Sequence, residues 1–334
     1  MRNVSIDYEF MKPGEKPPAD HAYLPGHMVF DVKMDFTRKA RYVADEHLTP
    51  DLITSTYAGV VSRKSVRIAL TYAALNDMEI MAADIKKAYL QAPTTEKHWT
   101  IAGPEWGFRK GTKMLVVRAL YGIKSAGREF RNHLRDCMWT LGYESCPADQ
   151  DVWMRETKSF DRVTCWEYLL LYTDDTLSIG PSSMENLMEL NKYFKPKEHS
   201  IGPPKLYLRG KISKVIMDYG VWAYAFSSSQ YVQEAVANVE KYLKERGAVL
   251  KSNATSPLSA EYRPELDQSP ELSPKDAAYY QSLIGIPRWA VELGRVDISC
   301  EVSMMSSYLA MPRDGYLQQV FHSSRTSEIS TTRE

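Results

Sequence analysis

The stretch WEYLLLYTDDTLSIG, residues 166–180, decides the fold class of this chain. Apolar runs flank the tetrapeptide YTDD, so the pattern predicts two strands joined by a tight turn that carries Asp174 and Asp175. Neighbouring residues of a strand face opposite sides of a sheet, but a turn can direct both carboxylates to one place. The sequence therefore predicts a β-hairpin with two acids at its turn.

A third carboxylate ends another apolar run. The segment MEIMAAD, residues 78–84, is typical of a buried strand and ends on Asp84. If this strand lies beside the hairpin, three carboxylates meet at one edge of a sheet, and a cation must offset their repulsion. Carboxylates suit Mg²⁺, and two such ions about 3.5–4 Å apart would activate an attacking hydroxyl and stabilise a leaving pyrophosphate. The alternative is that the Asp-Asp pair only forms a turn and Asp84 only caps a helix.

Composition excludes several other classes. The 334 residues are 44% hydrophobic and 25% charged, which is typical of a globular protein rather than a disordered one. The apolar stretches are far shorter than the roughly 20 residues that cross a bilayer, and the N-terminus lacks the apolar core of a signal peptide. The four cysteines show no CxxC spacing, so we expect reduced thiols in a cytosolic or nuclear compartment rather than a zinc site.

Charge is segregated along a chain whose net charge is zero. In residues 108–135 eight basic residues stand against one acidic residue, and in residues 192–214 seven stand against one. Such segments can line a channel for a polyanion on a neutral protein. The alternative is that they are ordinary solvated faces of helices and strands.

Periodicity predicts mixed α and β elements in order along the chain. Two short strands are expected in residues 28–44, and a strand pair in residues 205–226. Helical patterns occupy residues 62–75, 126–141, 183–194, 229–246, 274–293 and 296–309. Gly285 and Pro287 interrupt the 274–293 pattern, so we expect a kink or break there.

Several ordered blocks give the chain a family resemblance. They are KARYVA (39–44), ADIKKAYLQAP (83–93), RALYGIKSAGREF (118–130), ADQDVWMR (148–155), LLLYTDD (169–175), and a last block at 282–312. Together they resemble the reverse transcriptase domain in the Pol polyprotein of copia-type long-terminal-repeat retrotransposons, over residues 28–321. The segments AYLQAP, YTDD and SSSQYV are most similar to those of copia-like elements of diatoms and other algae.

The resemblance implies an α+β, right-hand polymerase fold with fingers, a palm whose antiparallel sheet carries the YxDD hairpin, and a helical thumb and connection. The expected domains are an N-terminal arm at 1–27, fingers and palm at 28–226, and a mainly helical thumb and start of the connection at 227–321. Residues 322–334 are expected to be a disordered tail foreign to the family, because they hold a single aliphatic residue.

The resemblance also implies the site. Asp84, Asp174 and Asp175 would be the catalytic and metal-binding triad, with two Mg²⁺ ions and Mn²⁺ as a substitute. The residues expected to bind the nucleotide are Lys39, Arg41, Tyr89, Tyr121 and Gly122. Those expected to bind nucleic acid are Lys124, Arg128, Arg131, Lys205, Arg209 and Lys211.

Four of the five nucleotide contacts have a structural alternative. Tyr89 lies five positions after Asp84, where a ring packed on the sugar 2′ position would exclude a hydroxyl; otherwise it is a core tyrosine. Lys39 and Arg41 alternate on one strand, so both face one way and suit a triphosphate. Alternatively, the charges of Lys39 and Arg41 only protect an exposed edge strand from pairing with another chain. The alternative for Tyr121 is ordinary packing in the core.

The predicted function is RNA-directed DNA polymerisation, by two-metal-ion transfer of a nucleotide onto a primer 3′-hydroxyl. The implied partners are an RNA template, a DNA primer and deoxynucleoside triphosphates, with no membrane. The implied location is the cytoplasm, in a virus-like particle, or the nucleus. The family continues past VFH, residues 320–322, into a connection and ribonuclease H, whereas this chain turns Ser/Thr-rich. The alternative is therefore a truncated, inactive remnant that at most binds nucleic acid.

Overall fold

The computed structural model describes residues 8–32, 38–45, 55–208, 210–250 and 256–331. The chain divides into two compact units, Met1–Pro204 and Lys205–Glu334. The strand pair that the sequence analysis groups with the fingers and palm, residues 205–226, therefore belongs to the second unit. The division into arm, fingers, palm, thumb and tail stays a prediction.

The first unit is mixed α and β. Its strands are β1 (Tyr8–Phe10), β2 (Ala22–Tyr23), β3 (Gly26–Val32), β4 (Arg38–Ala44), β5 (Glu79–Asp84), β6 (Pro93–Ile101), β7 (Lys113–Arg118), β8 (Glu144–Cys146), β9 (Asp149–Lys158), β10 (Thr164–Tyr172) and β11 (Asp175–Gly180). Its helices are α1 (Arg63–Leu75), α2 (Ala88–Gln91), α3 (Ala126–Thr140) and α4 (Ser183–Leu190), with a 3₁₀ segment at Pro104–Arg109. The elements α1, α3, β5, β10 and β11 lie where the sequence pattern predicts them.

The second unit is mainly helical. It contains strands β12 (Leu206–Tyr207), β13 (Gly210–Ile216) and β14 (Trp222–Ser227), and helices α5 (Ser229–Lys244), α6 (Pro274–Leu293), α7 (Ser299–Ser306) and α8 (Asp314–Thr331). Short 3₁₀ turns lie at Asp218–Gly220, Pro264–Leu266 and Val296–Ile298. The three strands form an antiparallel sheet in the order β12-β13-β14, and α5 to α8 enclose a core around Tyr280 and Ile284.

The sheet that positions the acidic residues has the order β5-β11-β10-β9-β8, and every neighbouring pair in it is antiparallel. Its central residues Leu169, Leu170, Leu177 and Ile179 are fully buried, because these strands are covered on both faces. A continuous apolar run, rather than alternation, is what such a covered strand requires. Leu169–Leu171 form such a run in β10, whereas in β11 the buried polar residues Thr176 and Ser178 alternate with Leu177 and Ile179.

The predicted N-terminal arm takes part in another sheet of the first unit. Strands β1 and β2 flank the β6–β7 pair in the order β1-β7-β6-β2, and Tyr8 and Leu24 are buried. Strands β3 and β4 form a separate antiparallel ribbon in which Val29 pairs with Arg41 and Asp31 with Lys39. The two residues expected to bind the triphosphate therefore lie on one ribbon strand.

The helices of the second unit differ from expectation in three places. Helix α6 continues through Pro287, because Leu283 and Ile284 before the proline and Ala290 after it are all buried in the same unit. The pattern predicted as one helix at 296–309 is a 3₁₀ turn followed by α7. Helix α8 runs into the expected disordered tail, where His322 Nε2 lies 2.9 Å from the Ser256 carbonyl and Ser323 Oγ donates to the Pro257 carbonyl at 2.6 Å.

A buried polar network ties three elements of the first unit together. Arg155 on β9 donates to Glu167 Oε1 on β10 at 2.7 Å, and to Asn186 Oδ1 and Glu189 Oε2 on α4, both at 3.0 Å. Asn186 Nδ2 completes the ring by donating to Glu167 Oε2 at 2.9 Å. The Arg155 guanidinium also lies 4.4 Å from the centre of the Tyr143 ring. Glu167, only 2% exposed, therefore depends on Arg155 for its neutralisation.

Replacing Arg155 with Met should lower the free energy of unfolding by about 3–5 kcal/mol, because the substitution leaves the Glu167 carboxylate buried without its cation. Urea unfolding followed by circular dichroism measures the loss. The matched control is Lys158→Met, an exposed position of the same strand, which should change stability by less than about 0.5 kcal/mol. Equal effects of the two substitutions would contradict the role given to the network.

In the described part of the chain, no helix combines the length and the apolar composition that a bilayer span requires.

Candidate active site

Strand register brings the three predicted acids to one edge of the five-stranded sheet. Asp175, the first residue of β11, pairs directly with Asp84, the last residue of β5. Thr173 and Asp174 form the turn from β10 to β11, and the Asp174 carbonyl accepts a hydrogen bond from the Ile85 amide at 2.8 Å. Thr173 has a φ of 54°, a left-handed conformation that β-branched residues rarely adopt. The turn is therefore strained where it carries Asp174.

A segment outside the regular strands lines the free edge of β5. We call residues 195–202 the edge segment. Its Lys197 amide donates to the Asp84 carbonyl at 2.7 Å, and its Gly202 exchanges two hydrogen bonds with Ala82. The hydroxyl of Ser200 accepts from the Asp84 amide at 3.2 Å. These bonds place Lys197 beside Asp84, and its Nζ lies 3.2 Å from Asp84 Oδ2.

The three acids disturb one another electrostatically. Loss of hydration on burial, together with the neighbouring charges of Asp174 and Asp84, raises the pKa of Asp175 to about 7, while Lys197 opposes the shift. The pKa of Asp174 is raised by the same loss of hydration and by Asp84, and lowered by Lys39 and Lys197. Concentrated negative charge of this kind is stable only with cations close by.

The donor atoms fit a hard divalent cation, because carboxylate oxygens are the ligands Mg²⁺ takes and Asp84 directly opposes Asp175. As they stand, the three carboxylates do not converge on one ion. Among the described residues no group of three His, Cys, Asp or Glu side chains is arranged to hold a metal ion. One visible reason is that the Asp84 carboxylate is engaged by Lys197.

A cleft of about 960 Å³ opens beside the acids. Asp84 and Asp174 lie on one side of it, and Lys39 and Arg41 of the β3–β4 ribbon also line it. Tyr121 contributes an aromatic wall, with the Arg41 guanidinium 5.8 Å from the centre of its ring. The cleft therefore brings together five of the residues predicted from sequence, with carboxylates and cations in one cavity.

Gly122 has a structural role rather than a place in the cleft lining. Its φ is +92°, and a Cβ built there would collide with the Ala44 carbonyl oxygen. The Ala44 amide donates to the Tyr121 carbonyl at 2.7 Å in the same contact. Only glycine permits the turn to approach the end of β4 this closely. Gly122 thereby fixes the ribbon strand that carries Lys39 and Arg41.

Replacing Gly122 with Ala should raise the KM for deoxynucleotides about tenfold or more, because a displaced β4 misplaces two cations of the cleft. The matched control is Gly111→Ala, which has a similar φ of +83° but open space around the added Cβ. The control separates backbone strain from the collision with Ala44. Steady-state kinetics of both variants give the comparison, and equal changes in KM would show that strain alone matters.

Tyr89, on α2, packs against Tyr121 of the cleft and lines a second, smaller cavity. Its ring centre is 5.2 Å from that of Tyr121 and 6.1 Å from that of Phe130. It lines the smaller cavity together with Thr173 of the acidic turn. Burial raises the pKa of its hydroxyl, and Asp174 adds to the shift. The ring is thus close to Asp174 and also packed against other aromatic residues. This position is compatible with a ring that contacts the sugar and with a core tyrosine.

The predicted nucleic-acid contacts on α3 and the turn before it already have protein partners. Arg131 donates to both carboxylate oxygens of Asp151, at 2.9 and 3.1 Å, and Arg128 donates to the Ser55 carbonyl at 2.6 Å. Lys124 lies half-buried in the turn before α3. These contacts give Arg128 and Arg131 a structural task besides the predicted one.

The remaining predicted contacts lie in the second unit. Lys205 and Lys211 are exposed around the short β12–β13 pair, where Lys211 pairs with Leu206. Arg209 lies outside the described residues. Lysines of this kind are available to a polyanion, and their role stays a prediction.

Sequence reasoning missed four cations of the cleft as site residues. Lys86, Lys87, Lys197 and Arg38 all line it. The signal for the first two was their position directly after Asp84 in ADIKKAYLQAP. Lys197 belongs to the basic segment at 192–214, but nothing in the sequence predicts its place beside Asp84, which it reaches only through the edge segment.

Comparison with known proteins identifies the family of the chain. The family described as reverse transcriptase (RNA-dependent DNA polymerase) matches residues 15–240. Retrovirus-related Pol polyproteins from transposons RE1 and RE2 of Arabidopsis thaliana are 25% and 26% identical over 90% and 83% of this chain. The corresponding polyprotein from transposon TNT 1-94 of Nicotiana tabacum is 25% identical over 77% of it.

The family match spans most of the chain, so the chain belongs to the reverse transcriptase family. Its relatives place it with the retrotransposons of copia type, as the sequence blocks predict. The chain spans only 20%, 18% and 19% of the length of these three relatives. The algal affinity of the element stays a prediction.

Proposed function

We propose that this chain is an RNA-directed DNA polymerase whose nucleotidyl transfer takes place at Asp84, Asp174 and Asp175. The observation that carries the proposal is the pairing of Asp84 with Asp175, with Asp174 in the adjoining turn, beside a cleft also lined by Lys39 and Arg41. Phosphoryl transfer depends mainly on positioning and on stabilising negative charge. A cavity that holds both carboxylates and cations supplies both.

In this proposal each group of residues at the cleft has a separate role. Lys39 and Arg41 bind the triphosphate, since both lie on β4 and line the cleft. Tyr121 supports the Arg41 guanidinium, and Tyr89 lies under the sugar. The strands β5, β10 and β11 form the palm sheet of a right-hand polymerase, with the β10–β11 turn as its YxDD hairpin. An RNA template and a DNA primer are bound through the basic segments by their phosphates.

The three carboxylates would hold Mg²⁺, or Mn²⁺ in its place. If bound there as a pair, such ions would lower the pKa of the primer hydroxyl and stabilise the charge of the departing pyrophosphate. The protein's contribution is to hold Asp84 and Asp175 opposite each other on rigid strands and Asp174 on a strained turn. It also encloses the triphosphate beside them.

Primer extension tests the proposal directly. The purified chain is given poly(rA)/oligo(dT), dTTP and Mg²⁺, and we expect extension that EDTA abolishes. Extension on an RNA template distinguishes this activity from DNA-templated synthesis. Binding of the template-primer without extension under any divalent cation would favour the inactive remnant, and would overturn the proposal.

A further inference from the structure

We infer that Lys197 and a divalent cation are alternative partners of the Asp84 carboxylate, so that Lys197 is a positioning residue that is displaced when metal binds. The inference rests on the proposed function for the presence of a metal site at the three acids. It goes beyond that function by assigning a role to Lys197.

The first support is the geometry of the ion pair. Lys197 Nζ lies 3.2 Å from Asp84 Oδ2, and both side chains are partly exposed, by 53% and 33%. The ammonium can therefore leave the carboxylate without breaking a buried contact. Lys197 also lines the 960 Å³ cleft, so a released ammonium stays beside the bound substrate.

The second support is that the main chain holds Lys197 in place. The Lys197 amide donates to the Asp84 carbonyl, and the Lys86 amide donates to the Lys195 carbonyl at 3.0 Å. Gln91 also holds the main chain at Lys195, because its Oε1 accepts a hydrogen bond from the Lys195 amide at 2.7 Å. A flexible side chain on a fixed backbone can move between two positions while the fold stays unchanged.

The third support is the charge of the site. Asp84 and Asp175 are directly opposed, and like charges directly opposite in a sheet destabilise the pair. Lys197 lies close enough to oppose this repulsion when no metal is bound. A divalent cation that uses the Asp84 oxygens must take the carboxylate from the lysine, so the two ligands exclude each other.

Mutual exclusion has a reciprocal consequence. If Lys197 weakens metal binding, bound metal must release Lys197 by the same free energy. The coupling can therefore be measured from metal binding and from the release of Lys197, and neither measurement requires catalytic turnover. Lys86 provides a matched control, because it lines the same cleft but pairs with Glu198, at 3.4 Å, rather than with an acid of the site.

The experiment titrates the whole chain with Mn²⁺ and measures free ion by electron paramagnetic resonance. We expect Lys197→Met to tighten Mn²⁺ binding about fivefold, the lower end of the usual coupling range, because the pair is partly exposed. Lys197→Arg, which keeps a cation, should stay near the wild type, and Lys86→Met should change affinity by less than twofold. Equal tightening by Lys86→Met and Lys197→Met would overturn the inference, because it would report only the loss of net charge.

Lysine acylation measured by mass spectrometry gives the reciprocal readout. Saturating Mn²⁺ should raise the modification rate of Lys197 while that of Lys86 stays constant. An unchanged Lys197 rate in a protein that binds Mn²⁺ and extends primers would overturn the inference and leave the proposed function standing. Wild-type protein that neither binds Mn²⁺ nor extends primers would overturn both.

Discussion

Replacing Asp174 with Asn should reduce primer extension at least about a thousandfold, because a neutral amide cannot supply the negative charge that a catalytic cation needs. Asp174 is solvent-exposed in the β10–β11 turn, so the amide fits without repacking. The fold should therefore survive. Single-turnover extension on poly(rA)/oligo(dT) measures the loss, and circular dichroism reports the structure.

The matched control for this substitution is Asp161→Asn. Asp161 is likewise exposed, and it lies in the turn between β9 and β10, at the opposite end of the strand that leads into the acidic turn. It should keep extension within about twofold of the wild type, since a surface substitution away from the site has little to disturb. If the Asp174→Asn protein still extends primers at a tenth of the normal rate, Asp174 is not a catalytic residue.

The same site predicts a pH dependence of stability in EDTA. The pKa of Asp175 rises on folding from 3.8 to about 7, so the folded chain holds this proton more tightly than the unfolded chain. The contribution to stability is complete below about pH 4 and is lost as the pH rises to about 7. Because Asp174 contributes to the shift, Asp174→Asn should flatten this dependence. Urea unfolding at several pH values checks the slope.

The sequence could predict the edge of the sheet where the acids lie, because apolar runs bounded by carboxylates define covered strands. It could not predict the edge segment. Residues 195–202 contain Pro196 and three exposed charged residues and show no strand pattern, yet they hydrogen-bond along β5. Their pairing depends on tertiary contacts with Asp84 and Gln91, which local periodicity does not encode.

The roles of single residues are harder to predict from sequence than the part of the fold in which those residues lie. Gly122 stands in a recognisable block, but its need for a close approach to Ala44 depends on a strand 78 positions away in sequence. Arg131 belongs to a basic segment, and only the fold shows that Asp151 accepts both of its hydrogen bonds. Charge runs along a sequence therefore overstate how much charge remains for a ligand.

Removing the ring of Tyr89 should lower the preference for dGTP over GTP by roughly tenfold to a hundredfold, the range in which a pocket discriminates one small group. A ribonucleotide differs by one 2′-hydroxyl, and a rigid ring rejects it by steric overlap. The ring is well placed for this, since it packs against Tyr121 of the cleft, and Asp174 is near enough to raise the pKa of its hydroxyl. Single-nucleotide incorporation by Tyr89→Ala measures both substrates.

Two further variants separate a steric gate from a packing residue, which matters because Tyr89 also contacts Phe130 at 6.1 Å between ring centres. Tyr89→Phe keeps the ring and should keep the preference for dGTP. Tyr89→Val is smaller but still apolar, so it should fill part of the space beside Phe130 while opening the 2′ position. If Tyr89→Val incorporates dGTP slowly but prefers it as strongly as the wild type does, the ring only supports the fold. If Tyr89→Val accepts GTP while its rate with dGTP falls less than about tenfold, steric exclusion by the ring selects the sugar.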